Sequence, residues 1–135
     1  MHVPFFTAAR LCAATFAALT LCLMFMPGMI YALFELQASD AADVLAKRAS
    51  VLFAGLAYLT FTCAGHSANP SRRCVAVSIG LVLISLAGLG AVEWARGAVG
   101  LGIWVAIAVE CALAALLWTA EFRGPGSLSR KSAVK

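Results

Sequence analysis

Apolar residues lie along this chain in four long runs that are separated by short polar segments. The runs are assigned to residues 11–34, 49–65, 74–92 and 98–120. A helix of about 20 apolar residues is long enough to cross the hydrocarbon core of a bilayer. Residues 1–122 are therefore predicted to form one all-α domain, an integral membrane four-helix bundle with up-down-up-down order.

The second run is predicted to belong to a longer helix that begins in the polar segment before it. Asp40 and Asp43 have the three-residue spacing of a capping arrangement at a helix start. Asp43 and Lys47 are four residues apart, a spacing that supports a helix. We expect one continuous helix over residues 41–65, with its first turns outside the bilayer.

The first run has a secretory signal peptide as its rival interpretation. Signal peptides have an apolar core of about 7–15 residues followed by a cleavage site with small residues. This run is longer, and its second half contains no such site, so we interpret it as a membrane span. Pro27 lacks the backbone N–H that a helix needs, so Pro27 and Gly28 should kink or end this helix near the membrane surface.

The composition agrees with a membrane protein. Hydrophobic residues make up 63% of the chain and charged residues 12%, whereas soluble domains carry about 25% charged residues. Such a chain would expose large apolar patches in water, so the lipid bilayer is its expected surrounding. The net charge of +4 does not indicate a nucleic-acid partner, because no basic patch with interleaved aromatic residues is present.

Lysine and arginine residues are unevenly divided between the two sides of the predicted bundle. Seven of the ten fall on the side of the chain ends: Arg10, Arg72, Arg73, Arg123, Arg130, Lys131 and Lys135. The other side carries Lys47, Arg48 and Arg96, together with Glu35, Asp40, Asp43 and Glu93. Because cytoplasmic connections are enriched in Lys and Arg, both ends are predicted to be cytoplasmic. The polar tail, residues 123–135, is expected to be disordered.

Glu110 is the most informative single residue, because it lies near the middle of the fourth run. An acidic side chain at that depth costs about 2–3 kcal/mol on insertion scales. Gly102, Ala106 and Ala114 follow the same four-residue step, and small residues allow close helix approach. Possible hydrogen-bond partners at similar depth are Tyr58, Ser85 and Thr20. One interpretation is that the carboxyl group carries a proton or binds a cation. The other, which we favour, is that it fixes the packing of the helices.

A second charged group is predicted at the outer membrane surface. It consists of Arg48, Glu93 and Arg96. An ion pair between Arg48 and Glu93 would join the second span to the third. The alternative interpretation is a binding site for an anionic lipid headgroup or a small acid.

Candidate metal ligands are few. Sulfur atoms cluster at the outer end of the first run, on Cys22, Met24, Met26 and Met29. Thioether and thiolate groups suit Cu(I), but methionine is also an ordinary filler of apolar helices. No histidine lies near this cluster and Pro27 interrupts its spacing, so we expect no metal and no cofactor.

Enzymatic signatures are missing from the sequence. The five cysteines contain no C-x-x-C pair, which a four-helix disulfide oxidoreductase needs. The two histidines, His2 and His66, lie at predicted membrane edges, so they do not hold a mid-span haem. No catalytic motif is present either, and we favour a protein that is not an enzyme.

Three stretches of this sequence resemble a known group. They are residues 47–57, 88–97 and 106–110, and they resemble small bacterial four-helix membrane proteins that are loosely similar to the DoxX-like group. The resemblance implies a bacterial inner membrane and four helices. Some DoxX-like proteins are associated with quinone or sulfur redox systems, so it also implies a redox or quinone role as one alternative.

Two other functions are weighed against that one. The leading hypothesis is a small membrane subunit or scaffold that forms a homo-oligomer or joins a larger membrane complex, because no motif indicates chemistry and small residues are abundant on the helices. The alternative is a proton-coupled transporter of a small lipophilic solute in which Glu110 carries the proton.

Overall fold

The computed structural model describes residues 4–122, and the secondary structure in this range consists of five α-helices without a strand. They are α1 (Phe5–Phe25), α2 (Pro27–Phe34), α3 (Asp40–Ala64), α4 (Pro70–Ala95) and α5 (Ile103–Phe122). All except the short α2 are long and apolar enough to cross a membrane. The prediction of an all-α bundle with four membrane-spanning helices is confirmed. The tail predicted to be disordered lies outside the described residues.

The first apolar run forms two helices instead of one. Helix α1 begins at Phe5, before the predicted start at Leu11, and ends at Phe25. Met26 leaves the helical conformation with φ −138° and ψ 49°, and Pro27 occupies the first turn of α2. Proline is accepted there because the N–H groups of a first turn have no helical partner. The predicted break at Pro27 is therefore present.

Side-chain caps set the starts of α3 and α4. The Oγ of Ser39 accepts a hydrogen bond from the Ala42 N–H at 3.2 Å, so Ser39 caps α3 and Asp40, the predicted cap, is already inside the helix. The Oδ1 of Asn69 accepts from the Arg72 N–H at 2.7 Å. Such caps satisfy backbone donors that have no partner within the helix.

The four long helices pack as two pairs. Helix α1 packs along α3, and α4 packs along α5. The pairs meet mainly through α1 and α5, whereas α3 and α4, although consecutive in the chain, contact each other little. Close approach in the second pair depends on Gly80, where a Cβ atom would overlap the ring of Trp118.

Contacts at the helix termini define two ends of the bundle. One end, called the Arg72 end below, is formed by the start of α1, the start of α4 and the end of α5. There the guanidinium of Arg72 lies 4.3 Å from the ring centroid of Phe5 and pairs with Glu121. At the α2 end, the Gly100 N–H donates to the Phe34 carbonyl at 2.8 Å. The start of α1 and the end of α5 thus lie at the same end of the bundle, as up-down-up-down order requires.

The helix pairs cover each other unequally along their length. On α1, every buried residue falls between Phe5 and Phe16, and residues 17–25 contain none. On α5, residues 104–112 contain none either, whereas Leu113, Ala114 and Leu117 are buried. The core shared by the two pairs is therefore concentrated in the half of the bundle near the Arg72 end.

Candidate functional site

Glu110 lies at the border between the half of the bundle that contains the shared core and the half in which α5 has few buried residues. It is seven residues from both Ile103 and Leu117, which are buried, and a seven-residue step returns to the same helix face. Glu110 itself is only half-buried. Within residues 4–122, the structure gives its carboxyl group no hydrogen bond and no ion pair. The side chain is therefore on the inward stripe of α5 without a polar contact.

The three polar residues expected near Glu110 do not bond to it. The Tyr58 side chain is 73% exposed on α3, and Ser85 is exposed on α4. Thr20 uses its hydroxyl on its own helix, where it donates to the Phe16 carbonyl at 2.9 Å. Equal depth in the membrane thus does not bring these groups together, because Tyr58 and Ser85 project away from the interior of the bundle.

The charged group at the α2 end forms a different ion pair from the one expected. Glu93 pairs with Arg96, three residues further along the chain, at 3.1 Å. Arg48 is exposed and is not paired with Glu93. The predicted bridge between the second and third spans requires α3 and α4 to be neighbours at this level, but these two helices contact each other little.

The sulfur-containing residues of the first run are divided by the break at Met26. Cys22 and Met24 remain on α1, while Met29 is on α2. The Sδ of Met24 is 3.9 Å from the Oγ of Ser50, which is fully buried. Met26 and Met29 are both more than half exposed. The arrangement ties α1 to α3 through one thioether and leaves the other two methionines on the surface.

The best-formed polar cluster is centred on Arg72, which was predicted from the sequence only to set the orientation of the bundle. Its Nη2 and Nε atoms lie 2.8 Å and 3.0 Å from Oε2 of Glu121. The two side chains are only 13% and 7% exposed. Glu121 was not predicted as its partner, although an acid at the end of an apolar run, on the same side as Arg72, is the sequence signal for such a pair.

Further contacts of Arg72 join the ends of all four long helices. Its Nη1 donates to the carbonyl of His66, just after α3, at 3.2 Å, and its guanidinium lies over Phe5 of α1. A groove of about 150 Å³ lies beside it, between the end of α3 and the start of α4. Its polar lining includes Thr62, Asn69 and Ser71.

A second polar contact that sequence reasoning missed connects α2 to α3. The Tyr31 hydroxyl donates to Oδ1 of Asp43 at 3.0 Å, and Tyr31 is buried. Burial, the hydrogen bond and the negative charge of Asp43 all raise the pKa of Tyr31. The sequence signal was weak, because Tyr31 was counted within an apolar span.

Comparisons with family models, with curated proteins and with solved structures found no match.

Proposed function

We propose that this protein is a small, non-enzymatic membrane subunit that associates with a second copy of itself through the region of α5 around Glu110. The observation that supports the proposal is the carboxyl group of Glu110, which lies within a membrane-spanning helix and makes no polar contact in the described chain. A carboxyl group in hydrocarbon is unfavourable unless it is hydrogen-bonded or hydrated. A partner helix supplies such a contact.

The helix surface next to Glu110 is suited to close packing. One helical turn away on the same face of α5 are Ala106, which is half-buried, and Ala114, which is buried. In membranes, small residues let two helix backbones approach, and polar side chains then hydrogen-bond between the helices. Ala106 and the carboxyl group of Glu110, which are both partly exposed on one face of α5, therefore support the same interface.

A second copy is the occupant that fits this chemistry most simply. In a symmetric dimer the same patch of each copy faces the other, and a Glu110 that lies at the two-fold axis is opposite Glu110 of the second copy. A protonated carboxyl group both donates and accepts hydrogen bonds. Two such groups satisfy each other without any further residue.

The test is the monomer–dimer equilibrium of the full chain in liposomes, measured by single-molecule photobleaching at several protein-to-lipid ratios. The variant Glu110→Leu should weaken dimerisation by about tenfold, since interhelical hydrogen bonds contribute about 1–2 kcal/mol. Glu110→Gln should retain part of the affinity, because an amide also donates and accepts. Val109→Leu changes the neighbouring position without a polar group and is the matched control.

Two results would contradict self-association. One is a wild-type chain that stays monomeric at every protein-to-lipid ratio. The other is a Glu110→Leu chain that dimerises as well as the Val109→Leu control. Co-purification from native membranes with a different protein, in place of a second copy, would support a larger complex instead.

A second candidate function is proton-coupled transport of a small lipophilic solute. It is favoured by the position of Glu110 on the inward stripe of α5, seven residues from Ile103 and from Leu117. Groups that carry protons in transporters face the interior of the bundle rather than the lipid. In proteoliposomes with a proton gradient, Glu110→Gln should then abolish the uptake of a lipophilic cation while Val109→Leu retains it. Absence of gradient-driven flux in the wild type would reject this candidate.

The redox or quinone role stays a prediction from the DoxX-like resemblance. Within residues 4–122, no three side chains of the His, Cys, Asp or Glu type are grouped closely enough to hold a metal ion. Quinone extraction from the purified protein is the direct test. A stoichiometric quinone would support the role, and its absence would remove the support that the resemblance gives.

We also propose that the chain resides in a bacterial inner membrane with both ends in the cytoplasm. Arg10, Arg72 and Arg73 lie on helix turns at the Arg72 end, and cytoplasmic sides are rich in arginine and lysine. In otherwise cysteine-free chains, Asn69→Cys should be shielded from a membrane-impermeant thiol reagent in intact cells. Gly97→Cys should be labelled, and the reverse pattern would contradict the orientation.

A further inference from the structure

We propose that the groove between α3 and α4 at the Arg72 end binds one anionic phospholipid. The groove is open and has a volume of about 150 Å³, and it lies between two consecutive helices that pack against other helices rather than against each other. Its position is at the termini of helices that are long enough to span a bilayer. The proposal does not depend on the dimer proposed above.

The lining of the groove changes from polar to apolar along the helices. Asn69, Ser71 and Arg72 line it at the start of α4. Leu59 and Val75 line it further into the spans, about one helical turn, or roughly 5 Å, beyond the polar part. A phospholipid has the same division, since its phosphate is followed within a few ångströms by acyl chains.

Arg72 keeps hydrogen-bond donors available for a phosphate group. A guanidinium carries five N–H donors in a planar fork. In the structure Nε and Nη2 contact Glu121, and Nη1 contacts the His66 carbonyl, so Nη1 and Nη2 each retain a second N–H. The hydroxyl of Ser71, which is exposed on the groove, adds a further donor.

The charges at this end favour an anionic headgroup over a zwitterionic one. Among residues 4–122, Glu121 is the acid at this end, and Arg72 pairs with it. Arg10 and Arg73 add two positive charges, and each is held over a phenylalanine ring: 4.3 Å from the centroid of Phe6 for Arg10 and 4.8 Å from that of Phe122 for Arg73. Arginines held in place in this way attract phosphate with little loss of side-chain freedom.

Native mass spectrometry of the full chain, released from nanodiscs, tests the site. The nanodiscs contain equal amounts of phosphatidylglycerol and phosphatidylcholine with the same acyl chains. The wild type should retain one phosphatidylglycerol in preference to phosphatidylcholine by about tenfold, the ratio that one charge-assisted hydrogen bond provides.

Two variants separate the groove from the rest of the surface. Ser71→Phe fills the polar part of the groove without altering the Arg72–Glu121 pair, and it should reduce the preference to near one. Ser78→Phe is the matched control, because Ser78 is exposed on the same helix, seven residues away, and does not line the groove. It should keep the wild-type preference, and circular dichroism of both variants verifies that the helices are intact.

Three outcomes of the nanodisc experiment would overturn the proposal. They are equal retention of the two lipids by the wild type, an undiminished preference in Ser71→Phe, and an equal loss in both phenylalanine variants. Competition with soluble glycerol phosphate distinguishes the source of the phosphate. Full displacement by glycerol phosphate at equimolar concentration would mean that the acyl chains contribute nothing, which also contradicts a lipid site.

Discussion

The carboxylate of Glu121 and the guanidinium of Arg72 form an ion pair of 2.8 Å that joins the last turn of α5 to the first turn of α4. The same guanidinium contacts Phe5 of α1 and the carbonyl of His66 after α3. One side chain thus connects the termini of all four long helices at this end of the bundle. The connection is mostly buried, so solvent screens it little.

Removal of one partner of this pair should destabilise the fold. Glu121→Gln leaves Arg72 without its counter-charge, and loss of one member of a buried pair costs about 3–5 kcal/mol. The free energy of unfolding, measured by dodecyl sulfate titration in mixed micelles, provides the test. Arg96→Gln is the control, because the Arg96–Glu93 pair is largely exposed and should contribute less than about 1 kcal/mol. Similar losses in both variants would contradict the structural role of the Arg72–Glu121 pair.

The contact between Gly80 and Trp118 should tolerate no added methyl group. A Cβ at Gly80 overlaps the indole ring, and overpacking of this kind costs about 1–3 kcal/mol. Gly88→Ala on the same helix meets no atom within 4 Å, so it should be neutral or slightly stabilising. Thermal unfolding in detergent compares the two variants.

A compensating change identifies the cause of that loss. The double variant with Gly80→Ala and Trp118→Phe should recover part of the stability, since the smaller ring leaves room for the methyl group. It also removes an indole N–H that is buried without a partner in the described structure. No recovery would mean that the methyl group acts through something other than the indole ring.

Tyr31 should ionise above the ordinary tyrosine range. Its pKa is raised by burial first and then by the hydrogen bond and the charge of Asp43, and an unperturbed tyrosine has a pKa of about 10. Tyrosinate absorbance at 295 nm should show a late-ionising component that disappears in Tyr31→Phe. In Asp43→Asn this component should move to lower pH.

The raised pKa also sets the sign of a stability change with pH. Because the folded state holds the Tyr31 proton more tightly than the unfolded state, this contribution to stability is fully present below about pH 10 and is lost as the pH rises through the folded pKa. The alkaline loss of stability should therefore be smaller in Tyr31→Phe than in the wild type. An equal loss in the two proteins would contradict the assignment.

Gly97 should be the position in the α4–α5 connection that is most sensitive to backbone strain. Its φ is +71°, and a Cβ there meets no atom within 4 Å, so any effect of substitution comes from the backbone alone. Gly97→Ala should lower the free energy of unfolding by about 1 kcal/mol, because L-residues disfavour the left-handed region. Asn accepts this region more readily, so Gly97→Asn should be the milder change, and a neutral Gly97→Ala would contradict the left-handed conformation.

Much of the secondary structure could be predicted from the sequence. The four apolar runs correspond to the four spanning helices, and the break at Pro27 followed from its missing N–H. The continuous helix α3 was predicted with nearly its observed ends. These features are local, since they depend on hydropathy, on proline and on residues within one or two turns.

The polar contacts that join the helices were determined only by the tertiary structure. Membrane depth suggested an Arg48–Glu93 pair and hydrogen bonds from Tyr58 or Ser85 to Glu110, but depth does not tell which helices are neighbours or which way a side chain projects. The pairing of α1 with α3 and of α4 with α5 instead places Arg72 beside Glu121 and leaves Glu110 without a polar contact. Hydropathy is a property of each segment alone, whereas these contacts depend on the rotation and order of whole helices about one another.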